Sequence, residues 1–136
     1  MPTISIIIPV LNEKESVAVL HTELISVLSK LSIPFEIIFI DDGSTDETLR
    51  VLKTLKPVRI ISFARTFGKS QALQAGFREA RGEYIFTMDG DLQDDPHEIP
   101  HFLERMEQDR VDLVCGWKKR RLDDISQRHT DYPTGS

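Results

Sequence analysis

The chain has 136 residues, enough for one domain with a buried core. Its 40% hydrophobic and 29% charged residues are typical of a globular domain, and a formal net charge of −5 disfavours a basic nucleic-acid-binding face. One cysteine, Cys115, excludes an internal disulfide and fits a reducing compartment. No segment approaches the roughly 20 apolar residues of a membrane span, and we expect no secretory signal.

Short apolar and β-branched runs predict five strands. Both faces of most of these runs are apolar, which is typical of strands buried in a parallel sheet. The predicted strands are 4–9, 35–40, 58–63, 84–88 and 111–117.

Apolar side chains at helical spacing predict a helix after each of the first four strands. For the first helix we expect Asn12 as the cap, Glu13 and Glu15 in the first turn, and an apolar face that reaches about Leu31. The later helices are expected to begin at Thr45 or Asp46, at Gly68, and at Asp95-Pro96.

The strict alternation of strands and helices predicts an α/β fold with an open, mainly parallel, Rossmann-like sheet flanked by helices. In such sheets ligands bind beyond the carboxyl ends of the strands. Polar residues follow four of the five strands directly, so this edge is the expected functional site. These residues are Asn12-Glu13, Asp41-Asp42, Asp89-Gly90-Asp91 and Lys118-Lys119.

The segment after the fourth strand carries the strongest signal. Asp89 and Asp91 are two residues apart, so in extended backbone their side chains point the same way. Two close carboxylates repel unless a cation or a proton lies between them. Gly90 permits a tight turn near a ligand. The pattern indicates Mg²⁺ or Mn²⁺ held together with ligand phosphates, although a solvated acidic turn has the same pattern.

Three other groups of residues each allow two interpretations. Lys69 stands at a helix start that could face an anion, or it is an ordinary surface lysine; the neighbouring sequence lacks the first glycine of a phosphate-binding P-loop. Asp41 and Asp42 could accept hydrogen bonds from a ribose or base, or cap the following turn. The basic cluster that begins at Lys118 could bind phosphate or an anionic membrane, or be solvated.

Taken together, these motifs resemble the family 2 glycosyltransferases of the GT-A fold, especially the branch that contains dolichol-phosphate mannosyltransferase and polyprenyl-phosphate glycosyltransferases. The resemblance covers about residues 3–123 in the family's order. Its matching segments are 8–13, 40–46, 67–69, 75–77, 81–83, 88–96 and 116–119.

The resemblance implies a UDP- or GDP-linked sugar as donor and a catalytic role for Asp89 and Asp91. A divalent metal would be held by these two aspartates and Gln93. The nucleotide would be bound by residues that match the family's positions or lie beside them. These donor-binding residues are Pro9, Asn12, Glu13, Asp41, Asp42, Lys69, Asp89, Gly90 and Lys118. Lys118 stands where this branch often has arginine, so it keeps the charge but loses the two-pronged grip on phosphate.

The reaction implied is an inverting sugar transfer to a polyprenyl phosphate, with a saccharide hydroxyl as the alternative acceptor. We expect residues 1–121 to form the donor-binding core of a longer, C-terminally continuing enzyme. The tail 122–136 lacks periodicity and is expected to be disordered or truncated. The longer protein is expected at the cytoplasmic face of a membrane, and an oligomer is compatible with the sequence.

A hypothesis from a different class is a receiver-type signalling domain, which also binds Mg²⁺ at strand ends. That class places its acidic pair after the first strand, where this chain has Pro9. It places a phospho-accepting aspartate after the third strand, where this chain continues Phe63-Ala64-Arg65. The sequence therefore favours the glycosyltransferase.

Overall fold

The structure is a computed structural model that describes residues 2–109 and 113–114. Strands and helices alternate along the chain as the sequence predicts. The strands are β1 (Ile4–Val10), β2 (Phe35–Asp41), β3 (Arg59–Ser62), β4 (Tyr84–Thr87) and β5 (Leu113–Val114). The helices are α1 (Val17–Ser29), α2 (Thr48–Leu52), α3 (Lys69–Glu79) and α4 (Ile99–Asp109), and a 3₁₀ turn (Pro96–Glu98) precedes α4.

The five strands form one parallel sheet in the order β3-β2-β1-β4-β5. The strand order reverses between β1 and β4, and in open α/β sheets the ligand crevice lies at such a reversal. Receiver-type domains have the order 2-1-3-4-5 instead. The predicted α/β fold is therefore confirmed, and the topology argues against the signalling hypothesis.

Alternating strand residues divide the core between the two faces of the sheet, because successive side chains point in opposite directions. On one face, Ile6 and Phe39 pack with the buried sides of α1, α2 and α4. On the other face, Ile7 and Ile38 pack with Ala72 of α3. The helices cover both faces, which explains why the strands read as apolar throughout.

Helix α1 begins later than predicted, and the expectation that Asn12 caps it is wrong. Ser16 precedes the helix, which runs from Val17 to Ser29, so neither Glu13 nor Glu15 lies in its first turn. Asn12 has a left-handed φ of 55°, which ends the strand direction and turns the chain. Leu31 lies beyond the helix but still packs against the core.

A charged network ties together the amino ends of three neighbouring strands. Glu36 accepts hydrogen bonds from the Ser5 hydroxyl at 2.6 Å, from the Arg81 N–H at 2.7 Å and from Arg59 at 2.8 Å. Arg59 also pairs with Glu79, at 2.8 Å. Burial by itself raises the pKa of Glu36, but these hydrogen bonds outweigh burial and the pKa lies below its usual value.

The last part of the sequence is described only at β5, within the predicted strand 111–117. Lys118 and the predicted tail 122–136 lie outside the described residues. Among those that are described, no helix is long and apolar enough to cross a membrane.

Candidate functional site

A cavity of about 380 Å³ opens at the carboxyl edge of the sheet, at the reversal between β1 and β4. Its walls come from the loops after β1, β2 and β4 and from the loop before α3. The residues that line it are Pro9, Val10, Leu11, Glu13, Asp42, Thr66, Gly68, Lys69, Asp89, Gly90 and Asp91.

Most of the residues predicted from sequence meet at this cavity. Those that line it are Pro9, Glu13, Asp42, Lys69, Asp89, Gly90 and Asp91. Asn12, Asp41 and Gln93 lie nearby in the chain but are not part of its walls. Lys118 is outside the described residues, so its expected role stays a prediction.

The turn after β4 is held by its own aspartates. Met88 continues the pairing with β1 through an N–H bond to the Ile7 carbonyl at 3.0 Å. The buried carboxylate of Asp94 then accepts the N–H of Asp89 at 2.7 Å. Asp91 accepts the N–H of Gln93 at 3.2 Å. The backbone of the two cavity-lining acids is therefore fixed from within the turn.

Gly90 is required by space rather than by a left-handed backbone. A Cβ atom at this position would lie 2.5 Å from Cγ1 of Val10 and 3.6 Å from the Pro9 carbonyl oxygen. Gly90 does not have a positive φ, whereas Gly43 and Gly68 do. The expectation that Gly90 supplies backbone freedom is thus replaced by a packing reason: β4's turn lies directly against the end of β1.

Lys69 and Asp89 form an ion pair inside the cavity. The ammonium Nζ lies 2.6 Å from Oδ1 of Asp89, which is short even for a charge-assisted hydrogen bond. The Asp89 side chain is 19% exposed and that of Lys69 is 45% exposed. Lys69 therefore lies in the cavity lining, and its expected role toward an anion stays a prediction.

Asp42 binds the loop that leads into α3. Its carboxylate accepts the N–H groups of Phe67 at 2.8 Å and Gly68 at 3.1 Å, and the Thr66 hydroxyl donates to its carbonyl at 3.0 Å. Gly43 lets the loop approach closely, since a Cβ there would lie 2.3 Å from the Arg65 carbonyl carbon. Asp42 thus binds a loop distant in sequence rather than the turn that follows it, and this contact places the start of α3 at the cavity.

Asn12 joins the loop after β1 to the loop after β2. Its side-chain oxygen accepts the N–H groups of Thr45 at 2.8 Å and Asp46 at 3.2 Å. Asp41 is buried and accepts the N–H of Ser44 at 3.1 Å. Both residues therefore support the edge from behind the cavity wall.

Asp46 secures the start of α2, although the helix begins at Thr48, after Glu47, and not at the predicted Thr45 or Asp46. Its carboxylate accepts the N–H of Thr48 at 2.8 Å. The Thr48 side chain also donates to this carboxylate, and this bond is the main reason that the pKa of Asp46 lies below its usual value. The same Thr48 hydroxyl accepts the N–H of Glu13 at 2.9 Å, which links α2 to the cavity wall.

Sequence reasoning missed five contributors to the site, among them Val10 and Gly68 of the cavity lining. Leu11 and Thr66 also line the cavity, and Asp94 holds Asp89 from the buried side. Leu11 directly follows the end of β1, and this position beyond a strand end could have predicted its place at the cavity. The burial of Asp94 has no comparable signal, because its neighbours Gln93 and Asp95 are equally polar.

The donor set suits a hard divalent cation that takes its remaining ligands from a phosphate and water. Asp89 and Asp91 offer two carboxylates to one cavity. Within residues 2–109 and 113–114, no group of three or more His, Cys, Asp and Glu side chains is placed to hold a metal ion. Two protein carboxylates with ligand oxygens remain the pattern typical of Mg²⁺ or Mn²⁺ sites built around a diphosphate.

Comparison with known proteins decides the family. The sequence model described as "Glycosyl transferase family 2" matches residues 5–134. The chain belongs to glycosyl transferase family 2. This membership confirms the resemblance drawn from the motifs and, with the strand order, sets the receiver hypothesis aside.

Two curated relatives have a polyprenyl phosphate in their names. The dodecaprenyl-phosphate galacturonate synthase of Rhizobium johnstonii is 39% identical over 130 residues, which cover 92% of this chain and 38% of the relative. The undecaprenyl-phosphate 4-deoxy-4-formamido-L-arabinose transferase of Pectobacterium atrosepticum is 35% identical over 130 residues, which cover 92% of this chain and 39% of the relative. The chain thus spans about two fifths of the length of these relatives.

Solved structures with the same fold include proteins with bound nucleotide sugars. S. aureus TarS in complex with UDP-GlcNAc superposes with a TM-score of 0.61 at 22% identity, over 78% of this chain and 31% of that one. The mannosyltransferase of Pyrobaculum calidifontis in complex with GDP-Man and Mn²⁺ has a TM-score of 0.57 at 23% identity, over 71% and 30%. These similarities establish the GT-A fold.

Proposed function

We propose that the chain is the donor-binding part of an enzyme that transfers a sugar from a UDP- or GDP-linked donor to a polyprenyl phosphate. The observation that carries this proposal is the cavity at the strand-order reversal, where Asp89 and Asp91 face the start of α3. Nucleotides bind at this place in open α/β sheets. The bound UDP-GlcNAc and GDP-Man of the structural neighbours support a nucleotide-sugar donor.

Asp89 and Asp91 would hold Mg²⁺ or Mn²⁺ together with oxygens of the diphosphate and water. Gln93 does not line the cavity, so its expected place among the ligands stays a prediction from the resemblance. When bound, the ion neutralises negative charge that grows on the departing diphosphate. The chain prepares this place in two ways. Asp94 fixes the backbone of Asp89, and Gly90 lets the turn pack against β1. The Mn²⁺ of the neighbouring mannosyltransferase supports this assignment.

The donor's nucleoside would lie along the loops after β1 and β2. Pro9 and Leu11 offer apolar surface, while Glu13 and Asp42 offer hydrogen-bond acceptors. Each carboxylate oxygen can accept more than one hydrogen bond, so Asp42 can bind the α3 loop and a ligand together. The diphosphate would run toward Asp89, beside the first turn of α3. Asn12 and Asp41 act indirectly by holding the β2 loop in place.

In the proposed inverting step, an acceptor oxygen forms a bond to the sugar's anomeric carbon while the bond from that carbon to the diphosphate oxygen breaks. The nucleoside diphosphate leaves with the bonding electron pair. A phosphate oxygen is already anionic near neutral pH, so a polyprenyl phosphate needs no base. A saccharide hydroxyl, the alternative acceptor, must lose a proton to a carboxylate base.

Exposed apolar side chains near the cavity favour the lipid acceptor over the saccharide. Leu11, Phe67 and Leu92 are exposed by 41%, 51% and 41%, respectively. Leu11 lines the cavity, Phe67 belongs to the loop before α3, and Leu92 follows Asp91. Apolar surface next to an acidic pocket suits a phosphate that carries a hydrocarbon chain. The lipid phosphates named in the relatives support this choice, which would bring the reaction to the cytoplasmic face of a membrane.

Replacement of Asp91 by alanine tests the donor site directly. The wild-type chain should bind UDP or GDP in calorimetry with Mn²⁺ present, and a thermal-shift panel of UDP, GDP and CDP sugars should name the nucleotide. Asp91→Ala should weaken Mn²⁺-dependent binding at least about tenfold, or about 1.4 kcal/mol, because the ion loses one of its carboxylates.

The matched control is Glu104→Ala, which removes one exposed carboxylate from α4, away from the cavity lining. It should leave the nucleotide affinity unchanged. Equal nucleotide affinity with and without Mn²⁺ in the wild-type chain would refute the metal-dependent donor site, and so would an Asp91→Ala variant that binds normally.

A further inference from the structure

Lys69 occupies one of the two carboxylate oxygens of Asp89, a residue proposed to bind the metal ion. We propose that its ammonium is the resident counterion of Asp89, that a divalent cation displaces it when the donor binds, and that it then turns to the donor's diphosphate. This inference rests on the proposed function, because it concerns the same cavity. It adds that Lys69 and the metal compete for Asp89 before they cooperate on the ligand.

The charge distribution explains why a counterion is needed. Glu13, Asp42, Asp89 and Asp91 all line the cavity. Four acidic side chains around one cavity favour a cation among them, because opposite charges attract. Lys69 supplies that charge at 2.6 Å from Asp89. The chain itself thereby supplies a positive charge among the acidic side chains of the ligand-free cavity.

The ammonium and a metal ion compete for Asp89. A divalent cation bound to a carboxylate lies about 2.0–2.6 Å from its oxygen. Nζ of Lys69 stands 2.6 Å from Oδ1 of the same group. Two cations on one carboxylate would be close enough to repel strongly in a partly buried site. Because the carboxylate has two oxygens, the metal can first bind the other one, and the repulsion between the two cations then favours a position of Nζ farther from Asp89.

The structure allows this movement without a change of fold. The backbone before Lys69 is anchored, since Asp42 accepts the N–H groups of Phe67 and Gly68. The side chain itself is 45% exposed. It is also a flexible four-carbon stem with a compact charge. Nζ can thus swing about a fixed Cα at the first position of α3, over the space proposed for the diphosphate.

Lys69→Met tests the exchange because methionine keeps the length and helix propensity but removes the charge. Mn²⁺ affinity is measured without nucleotide, by electron paramagnetic resonance of free Mn²⁺. We expect the variant to bind Mn²⁺ about threefold to fivefold more tightly, the scale of a partly exposed ion pair. With saturating Mn²⁺, its affinity for UDP and for GDP should fall about tenfold, because a charge-assisted contact to phosphate is lost.

Two control variants separate the ion pair from the overall charge. Lys53→Met makes the same charge change at an exposed position after α2 and should leave both affinities unchanged. Lys69→Arg keeps the charge and should retain the weaker Mn²⁺ binding. Circular dichroism confirms that each variant is folded.

The outcomes distinguish this inference from the proposed function. If the wild-type chain binds Mn²⁺ and nucleotide but Lys69→Met binds Mn²⁺ with unchanged or lower affinity, the exchange is wrong while the donor site stands. The exchange is also wrong if Lys53→Met tightens Mn²⁺ binding equally. If neither UDP nor GDP binds the wild-type chain with Mn²⁺, the donor site itself fails.

Discussion

At the scale of single residues, the close contact between Gly90 and Val10 determines where the acidic turn lies. Val10 is the last residue of β1 and is 3% exposed. Its Cγ1 would be 2.5 Å from a Cβ atom at position 90, a separation that real side chains do not tolerate. Asp89 and Asp91 flank this contact, so the two carboxylates are held against the end of β1.

Gly90→Ala should therefore lower the free energy of unfolding by about 1–3 kcal/mol, the usual cost of overpacking. Urea unfolding followed by circular dichroism measures this change. Val10→Ala also destabilises, because it leaves a cavity. The double variant should lose clearly less stability than the two single losses added together, since each substitution relieves the other. Strictly additive losses would contradict the steric explanation.

Sequence could identify most of the residues at the site but not their partners. Asp41 and Asp42 are adjacent acids after one strand, and nothing in their order tells which faces the cavity. The alternation of the strand decides this, since Asp42 lines the cavity while Asp41 is turned to Ser44. Asn12 was predicted to cap α1, yet its partners are Thr45 and Asp46, more than 30 positions away. Such long-range hydrogen bonds depend on the register of β1 against β2.

At the scale of elements, the Glu36 network sets how the amino ends of the strands pack. Ser5 and Glu36 are paired across β1 and β2 in the sheet register. The Ser5 hydroxyl also accepts the N–H of Gly82 at 2.7 Å, so the link from α3 to β4 is bound to the same group. The Glu36 carboxylate thus links the amino ends of β1, β2 and β3 to the connection between α3 and β4.

The lowered pKa of Glu36 makes this network sensitive to acid. The folded state holds its proton more weakly than the unfolded state, so protonation favours unfolding. Its contribution is fully present above the ordinary glutamate pKa and is lost as pH falls through the lower, folded-state value. Glu36→Gln should cost about 1–2 kcal/mol at pH 7 and much less near pH 3.

Thermal unfolding of the wild type and Glu36→Gln between pH 7 and pH 3 measures this difference. The matched control is Glu104→Gln, an exposed glutamate on α4 that should leave the pH profile unchanged. A Glu36→Gln variant whose deficit stays constant down to pH 3 would contradict the assignment.

Element order and type were predictable because the apolar runs and helical spacings are long and regular. The first and last residues of the elements were less predictable. The predicted helix start near Asn12 was wrong because the loop 11–16 carries polar residues that resemble a helix's first turn. The left-handed φ of Asn12 and its long-range bonds determine that loop, and neither leaves a local pattern.

At the scale of the whole molecule, the residues that stabilise the strand ends and the residues of the cavity lie at opposite edges of the sheet. The Glu36 network lies at the amino edge, and the acidic cavity lies at the carboxyl edge. Glu36 and Asp42 are six positions apart on β2 and the residue after it, so their Cα atoms are separated by about 20 Å at the rise of a β-strand. Sites farther apart than about 10 Å with no shared partner usually contribute additively to stability. The two edges should therefore respond independently to substitution.

Glu36→Gln, Asp91→Ala and the double variant test this separation. Glu36→Gln should lower the unfolding temperature and leave Mn²⁺-dependent nucleotide affinity unchanged. Asp91→Ala should weaken Mn²⁺-dependent nucleotide binding and change the unfolding temperature much less, because Asp91 is exposed and its carboxylate accepts a single long hydrogen bond, from the Gln93 N–H at 3.2 Å. In the double variant the stability changes should sum to within about 0.5 kcal/mol. A nucleotide affinity that falls with Glu36→Gln would mean that the amino edge positions the donor site through the strands, and the independence of the two edges would be lost.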